Sequence, residues 1–169
     1  MNTKTKNNVV FLIAFTLFTS IAYSQKVSVY KIDNLLKRIH NTSDTTYIVN
    51  FWATWCKPCV AELPDFNKID SVYKTQKIKV LLVSLDFKED IKLKLKPFIA
   101  KRKFKAEIIV LDEVNGNDFI NKVSDKWSGA IPATLITKNN NQLSEFYEKK
   151  LSYEFILERL QTNKLIISQ

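Results

Sequence analysis

Cys56 and Cys59 are the only thiols among 169 residues, and they stand two residues apart in Trp55-Cys56-Lys57-Pro58-Cys59. Thiols at this spacing either close into a readily exchanged disulfide or share a helix N-terminus as a dithiol. Either form is redox chemistry rather than stapling, because a structural cross-link gains most from closing a long loop. A metal site is the rival. Two sulfurs supply half of a tetrahedral zinc set, and the one histidine, His40, stands on an earlier predicted helix. Two-coordinate Cu(I) remains open on these residues, and His40 itself reads as an exposed helix-end residue.

The elements that must position the thiols follow from apolar spacing. Thr46–Trp52 reads as a buried strand leading into the cysteines, and a helix is expected from about Lys57 to Tyr73. Before them, Ile32, Leu35, Leu36 and Ile39 recur at helical spacing, and Asn41-Thr42-Ser43-Asp44 breaks that helix. Ile78–Leu85 is a near-continuous apolar strand, as expected when both sheet faces are covered. The stretch from Asp86 to Lys103 is ambiguous. Ile91, Leu93 and Leu95 alternate like a strand, Leu95, Phe98 and Ile99 fit a helix, and Pro97 interrupts either; a kinked helix is the expectation. Glu107–Leu111 is a strand and Asn117–Lys126 a short helix. Ala133–Thr137 and Leu143–Tyr147 are strands joined by a turn over Lys138–Gln142. Ser152 is the expected N-cap of a last helix with Phe155, Ile156 and Leu160 inward. This order predicts an α/β protein with a mixed sheet flanked by helices, and a site at the C-terminal end of a central strand.

The N-terminus reads as a leader outside this domain. Lys4 and Lys6 precede a mostly apolar stretch from Val9 to Ala22, and Ala22-Tyr23-Ser24 offers small residues at a cleavage position. The domains expected are therefore a signal peptide over 1–24 and one domain over 25–169, with an uncleaved anchor as the alternative. No cysteine lies near the cleavage point, so a lipidated anchor there is excluded. The formal charge is +9, and removing Lys4 and Lys6 from the 26 basic residues leaves 24 against 17 acidic, or +7. Nucleic-acid binding is not expected, because the basic residues are not interleaved with aromatics in a recognisable module. A solvated basic face between Lys88 and Lys105 is the better reading. In an oxidising compartment a CxxC either oxidises other proteins or is kept reduced by an electron source.

Asn50-Phe51-Trp52-Ala53-Thr54-Trp55-Cys56-Lys57-Pro58-Cys59, with Glu62-Leu63-Pro64 after it and Gly129-Ala130-Ile131-Pro132-Ala133-Thr134 far downstream, resembles the thioredoxin superfamily. Within it the chain is similar to the exported TlpA/ResA-like thiol-disulfide oxidoreductases over roughly Tyr47 to Leu160. The resemblance implies a thioredoxin-like fold with a strand and helix inserted between about Lys88 and Asn121, since Cys56 and Pro132 are 76 residues apart.

It also implies roles. Cys56 would be the attacking thiol, favoured as a thiolate by the helix N-terminus and the Lys57 charge. Cys59 would be the buried resolving thiol. Pro58 suits the first helical turn. Glu62, three residues past Cys59 on the same helix face, would assist proton transfer at Cys59; an exposed helix glutamate is the competing reading. Asn50 stands where cytosolic thioredoxins keep a buried aspartate, which shifts that burden to Glu62. Pro132 would be a cis-proline facing the cysteines, and Ile131 before it would pair its backbone with an extended substrate. Trp52 and Trp55 would mainly pack, with Trp55 also contacting partners, and Trp127 is open between packing and recognition. Peroxiredoxins, an enzyme rival, want a Pro-x-x-x-Thr-x-x-Cys box; here Ala53 takes the threonine position and the proline is missing.

The function expected is dithiol-disulfide exchange on extracytoplasmic proteins, in the reducing direction because no histidine lies between the cysteines. No cofactor and no metal are expected. The partners implied are cysteine-containing envelope proteins and a membrane or envelope thiol electron donor, with the chain a monomer. A non-enzymatic Cu(I)- or thiol-binding module is the alternative from a different class.

Overall fold

Seven consecutive buried residues, Thr46–Trp52, form the strand on which the molecule is organised. Their β-branched and aromatic side chains suit a pleat covered on both faces. A computed structural model describes residues 27–41, 43–138 and 142–166. The expected leader over 1–24 and the tip of the expected hairpin turn, 139–141, lie outside the described residues.

In chain order the described elements are β1 (Val27–Tyr30), α1 (Ile32–Ile39), β2 (Thr46–Trp52), α2 (Lys57–Tyr73), β3 (Ile78–Ser84), α3 (Lys96–Arg102), β4 (Glu107–Leu111), α4 (Ile120–Val123), β5 (Ala133–Lys138), β6 (Leu143–Tyr147) and α5 (Tyr153–Thr162). The sheet runs β1-β4-β3-β2-β5-β6. β1, β4, β3 and β2 are mutually parallel, and β5 and β6 are antiparallel additions.

Alternation along β2 and β3 builds two cores. Ile48 and Trp52, with Val80 and Leu82, face the layer of α2, α3 and α5. Tyr47, Val49 and Phe51, with Leu81 and Val83, face α1 and Trp127. Asn50 shares the face of Ile48 and Trp52, so its amide points toward α2.

In its secondary structure the molecule departs from the sequence reading at β1, at the stretch before α3 and at α4. Val27–Tyr30 is a strand, because it borrows a ladder from β4 in the register Val27↔Ile108. The ambiguous stretch is a π-helical turn over Ile91–Leu95 running into α3. Pro97 has no N–H to close a regular ladder back to Leu93; Leu93 is 83% exposed, so the strand alternation has no buried face to serve. The helix expected over Asn117–Lys126 shrinks to a 3₁₀ turn at Gly116–Asp118 and the single turn of α4, and the chain is extended again at Ser124.

Candidate active site

α2 starts at the cysteines because three features coincide there. Cys56 has an extended backbone, its Sγ accepts the Cys59 N–H at 3.3 Å as an N-cap, and proline occupies the first turn. Cys56 and Cys59 are joined as a disulfide with Cα atoms 5.3 Å apart. Cys56 keeps 6% of its surface open, whereas Cys59 is fully buried. The sulfur that solvent can reach is therefore the one that caps the helix, facing the Cys59 N–H at the positive end of the helix dipole.

The turn before it is tied down from β3. The carboxylate of Asp86, 2% exposed, accepts from the Thr54 hydroxyl at 2.6 Å, the Thr54 N–H at 3.0 Å and the Ser84 hydroxyl at 2.7 Å. Trp55, expected mainly to pack, instead projects into solvent at 67% exposure beside Cys56, because it stands in the turn between β2 and α2 rather than on either core face. Trp52 is buried against Phe98 and Phe104, with ring centroids 5.6 and 6.5 Å away, so the inserted helix α3 backs the strand that carries the site.

The opposite wall is the loop into β5. The Ile131–Pro132 bond is cis. The carbonyl oxygen of Ile131 lies 3.8 Å from Cys56 Sγ, close enough to accept from that thiol in its reduced form. Pro132 is buried and Ile131 is half-buried. Trp127 is a core residue: it is 4% exposed, stacks among Phe51, Phe119 and Phe146, and donates its indole N–H to the Ala130 carbonyl at 2.8 Å.

Glu62 is fully buried one helical turn beyond Cys59, which removes the exposed-glutamate reading. Its Oε1 accepts from Asn50 Nδ2 at 2.7 Å and its Oε2 from the Leu151 N–H at 2.7 Å. Asn50 Nδ2 also donates to Thr134 Oγ1 at 3.1 Å, on the strand that follows Pro132. Burial pushes the Glu62 carboxyl up to about 7, against the opposing pull of the Leu151 and Asn50 bonds and of Lys150. The group can therefore exchange a proton near neutral pH.

His40 is half-buried at the end of α1, on the other face of the sheet, rather than exposed; burial lowers its pKa. The described residues include no group of three or more His, Cys, Asp or Glu able to hold a metal ion. Sequence reasoning missed Asp86 and Leu151, whose contacts at the site run through ordinary residue types far apart in the chain.

The chain is similar to known proteins. The AhpC/TSA family model matches residues 27–146. The chain is 25% identical over 154 residues to the thiol-disulfide oxidoreductase ResA of Geobacillus kaustophilus, covering 89% of this chain and 83% of that protein. It is 29% identical over 125 residues to ResA of Oceanobacillus iheyensis, covering 73% of this chain and 60% of that one. A thiol:disulfide interchange protein of the thioredoxin family from Chlorobium tepidum has the same fold, with a TM-score of 0.60 at 19% identity over 79% of this chain and 85% of that one. The thioredoxin-like fold expected from the sequence is thus the fold observed.

Proposed function

The chain belongs to the AhpC/TSA family, and from that premise we propose that it is a thiol-disulfide oxidoreductase working by dithiol-disulfide exchange. The observation that carries this reading is the Cys56–Cys59 disulfide at the start of α2, with one sulfur open beside the Ile131 carbonyl and the other buried.

In the reducing direction the Cys56 thiolate attacks a substrate disulfide. The Cys56–substrate bond forms, the substrate S–S bond breaks, and one substrate thiolate leaves. Cys59, giving up its proton, then attacks Cys56 Sγ. The mixed disulfide breaks, the second substrate thiolate leaves, and the Cys56–Cys59 bond of the present structure remains. Two electrons have passed from the dithiol to the substrate. Glu62, held near neutral pKa one turn from Cys59, takes the Cys59 proton through the buried end of the site. A peroxidase reading lacks its hydroxyl: the residue three before Cys56 is Ala53, fully buried.

Ile131 and Pro132 would receive an extended substrate segment, and Trp55 would contact it. The extracytoplasmic placement rests on the basic-then-apolar residues over 1–24. Partners in that setting are cysteine-containing envelope proteins and a membrane or envelope thiol donor. The described residues include no helix long and apolar enough to cross a membrane. The reducing direction rests on the absence of histidine between the cysteines. A measured potential near the roughly −120 mV of strong oxidants, rather than near about −270 mV, would reverse it.

Mixed-disulfide trapping tests the assignment. Cys59→Ser is expected to hold partners covalently on Cys56. Trapping by Cys56→Ser alone would exchange the two roles. Tight stoichiometric Cu(I) binding with no disulfide turnover would replace the enzyme reading by a metal-binding one.

A further inference from the structure

Beyond the thiols, the segment between β6 and α5 touches both walls of the site. Leu151 N–H donates to Glu62 on the cysteine helix. Three residues earlier, the Glu148 carboxylate reaches the loop before the cis-proline: Oε2 accepts from the Ser128 N–H at 3.1 Å, and Oε1 accepts from the Ala130 N–H at 2.8 Å and from the Ser128 hydroxyl.

The loop is held from its other side as well. Trp127 donates to the Ala130 carbonyl, so both polar groups of the Ala130 backbone are engaged. Gly129 has φ +98°, and a Cβ there would sit 2.9 Å from Ile120 Cδ1. Ser128 and Ala130 are exposed, so little packing holds them; what fixes them is this set of hydrogen bonds. The next residue is Ile131, whose carbonyl lies against Cys56 Sγ.

We propose that Glu148 is the positioning residue for substrate docking: its carboxylate orders the 128–130 loop so that the Ile131 backbone is ready for an extended polypeptide segment flanking the target disulfide. This rests on the exchange reading given above. Charge-assisted bonds from one carboxylate to two N–H groups and a hydroxyl are stronger than neutral ones. Ordering the loop before the substrate arrives lowers the cost of binding rather than the barrier of sulfur exchange. A residue acting in this way changes KM more than kcat.

The test is turnover of insulin, a polypeptide disulfide substrate, by the full-length protein. Glu148→Ala is expected to raise KM about three- to tenfold with kcat within about twofold. Glu148→Gln, which keeps one oxygen acceptor, should show a smaller rise. Ser128→Ala, at an exposed position that does not threaten folding, should also raise KM. Because its hydroxyl acts through Glu148, adding it to Glu148→Ala should change nothing further. Wild-type kinetics in Glu148→Ala, a fall in kcat at unchanged KM, or full additivity in the double variant would each overturn the proposal. A wild-type protein that fails to turn over insulin would instead remove the exchange reading on which it rests.

Discussion

Asn50 Nδ2 lies 2.7 Å from Glu62 Oε1, bridging the central strand to the helix that carries both cysteines. The amide is a donor that cannot take up a proton. The neighbouring carboxyl can, and it is the group burial has moved to about 7. Of the two, only Glu62 can titrate, and the relationship makes stability depend on pH.

A carboxyl whose pKa is raised by folding binds its proton more tightly in the folded than in the unfolded chain. Its contribution to stability is fully present below the ordinary value of 4.5 and is lost as pH rises through about 7. The difference corresponds to roughly 3 kcal/mol. Urea denaturation of wild type between pH 4.5 and 8 should show this fall, and Glu62→Gln should flatten it. An unchanged slope in the variant would move the effect to another group.

Asn50→Asp places a second carboxyl against Glu62. Two buried carboxyls in hydrogen-bond contact resist double ionisation, so the second ionisation of the pair should lie above the value of Glu62 alone. The variant should be less stable than wild type at pH 8, with the gap narrowing at pH 5. A pH-independent loss would mean that packing, not charge, explains the amide.

Asp86→Ala should cost about 1–3 kcal/mol, because it strands the buried Ser84 hydroxyl and the half-buried Thr54 N–H and hydroxyl. Urea midpoints at constant m-value measure it. A loss below about 0.5 kcal/mol would show that water replaces the carboxylate there.

The tryptophans separate packing from contact. Trp127→Ala, in the core, should lose about 3–5 kcal/mol. Trp55→Ala, 67% exposed, should stay within about 0.5 kcal/mol of wild type while weakening insulin turnover. Equal destabilisation by the two would contradict the burial seen for them.

Much of the site was legible because its chemistry is local. The cysteine spacing, Pro58 in the first turn and Glu62 on the same helix face are read from residue type and interval, and Pro132 was legible only through the resemblance to the thioredoxin superfamily. β2, α2 and β4 were legible through buried runs and helical spacing, which are properties of a single segment. β1 was not, because four residues at a sheet edge become a strand only by pairing with β4, which arrives about eighty residues later. Glu148 and Asp86 were not, because an acidic residue after a strand carries no mark of the loop it will hold.

The sequence by itself determined that two thiols meet at the head of a helix, since covalent spacing and capping act within a few residues. Only the tertiary structure decided that Glu62 is buried rather than solvated, that Trp127 belongs to the core, and that the 148–151 segment touches both walls. Those outcomes depend on which faces of the sheet are covered and on hydrogen bonds spanning up to 89 residues, as between Leu151 and Glu62. Burial and long-range pairing are properties of the assembled layers, and no short stretch of chain contains them.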